Sequence, residues 1–552
     1  MPNLHHQYLR RRTAEVAEFV KALQENTVKN GIFDSADATE FVNETIQRGE
    51  GGAKIPASLD AVFDEAGDDS AKICKAILDG VQEYRLLHGV DAPSDVVEHA
   101  IHLAYSTSDL ARRRYVTDSA SSTHHDQWSL QPNRAVVAIL TAIAEAIPFA
   151  HYLPADIGSN EAKLAIMSHI AGKEYGLYAE GGLMDGVLSG GQYINSARTH
   201  VSFPDGSGNV AGQIGGIQSD EETSVTVAGN LILRGRTTVY VQGLLAAREI
   251  ESTGTGNSTI SGSIEISGTT YQIGGYIQED GVYALTTTPA LPTTIPVTVE
   301  GYMDYERTPE LTPSIISRVD TFTLYAAPWR VNTSQTIDSR TQMSNELGLD
   351  PYSEGVLAIQ TQFANERHYD VLYKARRIAA NNSADYDFEW ASRSATLSRA
   401  EIWADFAHVL NNVSQQMAID TLNHGVTHLY VGKNIASQFM ALPRTVFEPS
   451  GIMERPGIFR IGRLFGRYEV YYTPKGVTET ATSGQILCIG RATDVTRNPF
   501  VLGDAVAPTV IPLAVNADLK QGAGFYARNY TSVNPHKPSA LGCAVINVIN
   551  LA

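Results

Sequence analysis

An aspartate followed by a proline, Asp350-Pro351, opens the stretch that most restricts what this chain can fold into. Asp350 suits an N-cap, because its carboxylate can accept an orphan amide of the first helical turn, and Pro351 suits the first helical position, where a missing N–H costs nothing. Beyond them Val356, Ile359, Phe363, Val371, Ala375 and Ile378 recur at spacings of three, four or eight, which places them on one helical face. A helix from Asp350 to Ile378 is a rod of roughly 40 Å at about 1.5 Å per residue. Such a rod exceeds most domain cores and calls for an extended partner surface. A β-patterned run from Val319 leads into it through the polar linker Ser344-Asn345-Glu346-Leu347-Gly348-Leu349-Asp350.

With 552 residues, 43% of them hydrophobic and 18% charged, the chain can bury a large core and divide into three or four structural units. Cys74, Cys488 and Cys543 stand far apart in apolar patterns, so neither a zinc site nor a disulfide framework is expected, and synthesis in a reducing cytoplasm follows. Met1 to Arg12 lacks the apolar core of a signal peptide. Ala135 to Ile147 is too short to span a bilayer and carries Glu145, so no membrane association is expected. The net charge of −18 excludes a histone-like role, because an acidic chain gains nothing from phosphate neutralisation.

Three segments, in this order, carry a family resemblance. The first is the β run, Glu346-Leu347-Gly348-Leu349-Asp350 and the long helix with Glu366 and Arg367. The second is Gly462-Arg463-Leu464-Phe465-Gly466-Arg467-Tyr468-Glu469-Val470-Tyr471-Tyr472-Thr473-Pro474, a glycine-punctuated hairpin. The third is the tail, with Ile486 to Gly490, then Pro508, Ile511, Pro512 and Leu513, then Gly524-Phe525-Tyr526-Ala527-Arg528. Together they resemble major capsid proteins of tailed bacteriophages, the T-even-like branch of the HK97 fold.

The resemblance implies an α+β chain with an axial domain, a peripheral domain bearing a long spine helix, an extended loop, an inserted antiparallel β domain and an N-terminal helical extension. The expected division is 1–115 for the extension, 116–204 for the N-arm and start of the loop, and 205–305 for the β insertion. Then come 306–424 for the peripheral domain, 425–504 for the axial domain and 505–552 for the return to the peripheral domain. It further implies self-assembly into hexamers and pentamers of an icosahedral head around double-stranded DNA. Partners would be copies of itself, with portal, scaffold, decoration or vertex proteins and non-specific proximity to packaged DNA; no cofactor, metal or membrane is called for. An acidic lining suits a container whose wall must not trap the genome. Two alternatives stay open: an encapsulin-like nanocompartment shell, and a β-rich tail-attached or secreted binding protein.

Along the chain, Leu9, Arg12, Val16, Phe19, Val20 and Leu23 predict one helix, and Ile73, Ile77, Leu78, Val81 and Tyr84 another. Ser94 can cap a third, through Val97, Ile101 and Ala104 into Arg112-Arg113-Arg114, cations suited to a helix C-terminus. This region is either a small helical domain or, as the resemblance implies, an extension that guides assembly or wires neighbouring subunits together. Arg10-Arg11-Arg12 can touch DNA or simply be solvated. Ser119 to Asn133 reads as a surface loop whose adjacent His124 and His125 point apart rather than toward one metal. Asn133 caps a short helix to Ile147, and Lys163 to Tyr178 forms a strand pair.

From Asp205 to Tyr305 short alternating runs such as Val225-Thr226-Val227, Thr238-Val239-Tyr240-Val241 and Ile264-Glu265-Ile266, with Asp280-Gly281 as a turn, predict an antiparallel β domain, a small sandwich. Its place in the order implies an insertion in the extended loop; an independent β module such as a glycan binder is the alternative. Ile402 to Leu422 is expected to be helical, Thr427 to Val431 a strand, and Asn434 the cap of a helix from Ile435 to Leu442.

Catalytic signatures fail. Gly432-Lys433-Asn434 lacks the spacing and the Ser or Thr of a phosphate loop, and Gly206-Ser207-Gly208-Asn209-Val210-Ala211 lacks a following helix and reads as a turn. Paired carboxylates such as Asp68-Asp69 are too common to signal acid–base chemistry, and no enzyme is proposed. For an assembling protein the working residues are those at interfaces. Arg460, Arg463 and Arg467, beside the hairpin, are candidates for intersubunit ion pairs, each worth about 0 to 1 kcal/mol if exposed; solvated arginines are the alternative.

Overall fold

The computed structural model describes residues 4–29, 32–48, 55, 63, 70–115, 139–154, 160–216, 230–250, 256–348, 350–513 and 519–551. Outside them lie the expected loop with His124 and His125, the Asn133 cap, the strand Val225-Thr226-Val227 and Asp68-Asp69, and so do the side chains of Leu9, Arg10 to Arg12 and Arg112 to Arg114. The chain forms two compact units, Met1–Ile166 with Thr321–Ala552, and Met167–Asp320.

The first unit is built on two sheets. A seven-stranded sheet runs in the order Ser383–Asp387, Cys543–Ile549, Gly484–Ile489, His428–Val431, Tyr468–Tyr472, Phe459–Leu464, Phe447–Pro449. Its central strands are apolar at nearly every position because both faces are covered. Leu429, Val431, Ile486 and Cys488 face the helices Arg399–Thr421 and Lys433–Met440, with Trp403 and Phe406 in the same cluster. Tyr430, Leu487 and Ile489, on the opposite parity, join the long helix and the N-terminal helices. The second sheet has four strands, Ala327–Thr336, Lys520–Val533, Phe500–Leu513 and His151–Tyr152, with Ala327–Thr336 at an edge.

The long helix is continuous from Pro351 to Ala379, and Asp350 caps it by accepting the Tyr352 amide at 3.2 Å. Four N-terminal helices are described: Leu4–Thr27, Ser35–Arg48, Ser70–His88 and Ser94–Tyr115. The third carries the expected face, with Ile73, Ile77 and Tyr84 buried and Leu78 and Val81 partly buried. The hairpin is also present, Phe459–Leu464 pairing with Tyr468–Tyr472 around Phe465-Gly466. Both turn residues have positive φ, 53° and 66°, which Gly466 adopts without steric cost.

Four local expectations are corrected. The linker is partly helix: Ile337–Leu347 is helical, closed by Gly348 in the left-handed region, so Ser344 to Leu347 belong to it. Lys163 to Tyr178 is not a strand pair; Glu161–Ala171 pairs instead with Ile315–Tyr325. Asn434 is not the cap of its helix, which starts at Lys433 after Gly432, and the free amides of Asn434 and Ile435 are taken by Glu479 Oε1 at 2.7 and 3.2 Å. The tail is shared between the sheets: Gly484–Ile489 and Cys543–Ile549 lie in the seven-stranded sheet, and only Phe500–Leu513 and Lys520–Val533 in the other.

The second unit is organised by one antiparallel sheet of eight strands, in the order Ala197–Ser202, Val297–Tyr302, Thr238–Val241, Leu244–Ile250, Ser258–Ile266, Thr269–Ile277, Val282–Thr288, Asn209–Gln213. This replaces the expected sandwich. The sheet curls until its two ends approach: His200 Nδ1 on the first strand lies 2.8 Å from the Tyr283 hydroxyl next to the last. Gly212 permits the approach, since a Cβ there would stand 2.6 Å from both His200 Cε1 and the Tyr283 hydroxyl. Val239, Val241, Ile260, Leu285 and Val299 fill the interior. The turn at Gly206 to Asn209 is confirmed, with the Asp205 carboxylate accepting the amides of Ser207 and Asn209, each at 2.8 Å. Among the described residues no helix is long and apolar enough to cross a membrane.

Candidate assembly surfaces

The long helix touches both sheets of its unit through different chemistry along its length. Just before its midpoint Phe363 packs edge-on against Trp329 of the edge strand at 5.4 Å between ring centroids, and lies 5.0 Å from the Phe525 ring. Its end buries Val371, Leu372, Ala375 and Ala379 in the core that also holds Leu487, Ile489 and Cys543. Burying one such aliphatic side chain contributes about 1.5 to 3 kcal/mol, so each contact anchors the helix independently.

Between these contacts the link is ionic. Arg367 Nη1 lies 3.3 Å from Asp504, and His99 Nε2 lies 2.9 Å from Asp504 Oδ2. Burial alone would raise the Asp504 carboxyl, but Arg367 and His99 outweigh it and hold the group below the usual carboxylate range. Next along the helix, His368 Nε2 is 3.2 Å from the Tyr430 hydroxyl, in a cage of rings that includes Phe149. Burial drives His368, His88 and His428 each down to about 3, so all three are neutral at pH 7.

One uncovered apolar region of this unit lies at the start of the long helix. Among the described residues the edge strand Ala327–Thr336 pairs on one side only, with Lys520–Val533, and so offers an open backbone ladder over ten residues, with Val331 48% exposed. Ile337 and Met343 on the following helix, Leu357 on the long helix (58% exposed) and Leu519 in the connection before Lys520–Val533 are also exposed. These pieces are neighbours: the Ile337 amide donates to Leu519 O at 3.1 Å, and Gln335 Nε2 donates to Pro351 O at 3.1 Å. An open ladder beside several exposed apolar side chains is a surface prone to pair with another chain. Behind it, Trp329, Glu366, Tyr369, Asp370, Tyr373 and Lys475 help line a groove of about 830 Å³.

The three arginines singled out from the sequence do not form one patch of free charge. Arg460 Nε donates to Glu469 Oε2 at 2.5 Å and is buried, while Arg463 Nη2 donates to Glu469 Oε1 at 2.6 Å. Glu469 was in the quoted hairpin motif, and its position opposite Arg463 follows from antiparallel register, so this pairing had a readable signal. Arg467 is exposed and lies over the Tyr468 ring at 5.3 Å. The sequence reading missed Asp95, His99, His151, Arg491 and Asp504, which are adjacent only in space. Among the described residues no group of three His, Cys, Asp or Glu is arranged to hold a metal ion.

No family model and no curated protein sequence matches the chain. Among solved structures it is similar to the capsid of jumbo bacteriophage PhiKZ, at 10% identity and a TM-score of 0.34, over 73% of this chain and 94% of that one. It is similar to the capsid of Myoviridae phage XM1 at 8% identity and a TM-score of 0.29, over 60% and 96%. It is also similar to the SrpI encapsulin of Synechococcus elongatus at 10% identity and a TM-score of 0.28, over 44% and 79%.

Proposed function

We propose that this chain is the major capsid subunit of a tailed bacteriophage, assembling as hexamers and pentamers into an icosahedral head that encloses double-stranded DNA. The observation that carries the reading is the unbroken helix Pro351–Ala379, which ties an open-edged sheet to a fully covered one. A beam anchored to both sheets holds them in register, so a contact made at the open edge of one subunit is repeated with fixed geometry in the next. Repetition of one heterologous contact with closure gives rings, and further contacts between rings give a cage.

In the finer assignment the fold is HK97-like. The seven-stranded sheet with its two helices is the axial domain, and the long helix with the four-stranded sheet is the peripheral domain. The eight-stranded sheet is a domain inserted in the extended loop, contacting neighbouring subunits. Arg467, exposed beside the hairpin, is the strongest of the three arginines for an intersubunit ion pair, because Arg460 and Arg463 already share Glu469. Portal, scaffold, decoration or vertex proteins are its further partners. The role is structural, and no catalytic step is assigned to it.

Gradient sedimentation of the expressed full chain, followed by negative-stain electron microscopy, tests the reading. Rings of five and six subunits or closed shells are expected. A species that remains monomeric when concentrated overturns it.

A further inference from the structure

The helix Ser94–Tyr115 carries Asp95 and His99 one turn apart, and therefore on one face. Each makes a buried polar contact with a different part of the body. Asp95 Oδ1 accepts from Arg491 Nη2 at 2.8 Å, and its Oδ2 lies 3.0 Å from His151 Nδ1. His99 reaches Asp504, which Arg367 of the long helix also holds. The two contacts are reciprocal: the helix contributes the acid to one and the base to the other. A single turn thereby touches the strand His151–Tyr152, the strand Phe500–Leu513, the loop at Arg491 and, through Asp504, the long helix.

Apolar packing runs the same way. Ile73, Ile77, Tyr84, Val97 and Ile101 are buried in one continuous core with Phe149, Val371, Tyr430 and Tyr471. The helices Leu4–Thr27 and Ser35–Arg48 enter the same core through Val16, Phe19, Leu23, Ala38 and Val42, but they reach it by packing chiefly on one another and on the helices Ser70–His88 and Ser94–Tyr115. The N-terminal region is thus graded, with an inner pair set into the body and an outer pair set on the inner one.

We infer that Ser70–His88 and Ser94–Tyr115 are a permanent brace of the subunit, locked by Asp95 and His99. Loss of the inner pair would take Asp95 from Arg491 and His99 from Asp504, which would keep only Arg367, and would remove the His88 ring that packs beside Tyr471. Removal of a buried pair's partner is among the most destabilising single changes a fold can suffer. The brace acts within its own chain, in contrast to the extension guiding assembly or wiring neighbouring subunits together that the family resemblance implied.

The test uses the unassembled full chain, so its failure and that of the capsid reading are separable. In native-state hydrogen exchange, amides of 70–104 should exchange within about tenfold of those of Cys543–Ile549, because one cooperative core opens as a unit. Exchange faster by more than about tenfold overturns the inference. Limited proteolysis followed by gel filtration gives an independent readout: peptides covering 70–104 should co-elute with the body, and their release or selective loss counts against a permanent brace. Asp95→Asn should accelerate exchange in both segments together, whereas a change at the exposed Met453, Met453→Ala, should leave both unchanged; acceleration confined to 70–104 would mark a separable module and sink the idea.

Discussion

Arg367, fully enclosed halfway along the long helix, holds the carboxylate of Asp504 at 3.3 Å across from a strand more than a hundred positions later in the chain. The pair lies between two aromatic contacts of the helix, Phe363 with Phe525 on one side and His368 with Tyr430 on the other. Both partners are buried, and that makes the contact sensitive to removal of either.

Arg367→Ala is expected to destabilise the chain by about 3 to 5 kcal/mol, because Asp504 would keep a buried charge with only His99 beside it. The joint change Arg367→Met with Asp504→Leu should cost markedly less, since it removes both charges and the desolvation they require. Urea denaturation monitored by tryptophan fluorescence compares the two; equal losses would show that packing, not charge, dominates the site.

Acid should weaken the fold from about pH 6.5 downward. His88, His368 and His428 have folded values near 3, well below the ordinary histidine value, so the unfolded chain takes up protons that the native chain refuses. Their stabilising effect is complete above the unfolded value and is lost as pH falls toward the folded one. Glu145 works in the opposite sense: burial pushes it up to about 7, so it stabilises the native state as pH falls from about 7 toward its unfolded value. His428→Leu should therefore flatten the fall in Tm between pH 6.5 and 4, and Glu145→Gln should steepen it. A Tm profile unaffected by either change would contradict these assignments.

The elements legible in the sequence were those whose signals are local. Asp350-Pro351 announces its helix because cap and first-turn preferences act within four residues, and the Phe465-Gly466 turn announces its hairpin for the same reason. Ile337–Leu347 went unseen because it is mostly exposed, with little apolar periodicity to register. The cap of Lys433–Met440 comes from Glu479, more than forty residues away, and Asn434 was simply the nearest residue of the right type. Alternation in Asp205 to Tyr305 told which side chains face inward, but closure into one curled sheet depends on Gly212 meeting His200 and Tyr283, a relation that pattern cannot carry. The Asp95 and His99 contacts were hidden for the same reason, since Arg491 and Asp504 lie roughly four hundred residues downstream.

Glu479→Ala should free the amides of Asn434 and Ile435 and cost about 0.5 to 2 kcal/mol, the range for loss of a helix cap. Glu479→Gln retains an acceptor and should cost less. A thermal-shift comparison of the two with the parent chain distinguishes capping from a general charge effect, in which case the two substitutions would be equivalent.

Assembly and folding should separate at the open edge. Val331, nearly half exposed in the middle of the edge strand, contributes little to the interior, so Val331→Lys is expected to change stability by no more than about 0.5 kcal/mol. In an assembled cage the same lysine would stand where another chain is to pair, and charged residues on an edge strand oppose such pairing. Leu357→Lys, 58% exposed on the neighbouring helix, should act alike. Both variants should melt like the parent yet sediment as small species where the parent forms rings or shells. If they assemble normally, the edge beside the long helix is not the contact that builds the particle, and the interface must be sought on the hairpin near Arg467 or on the eight-stranded unit.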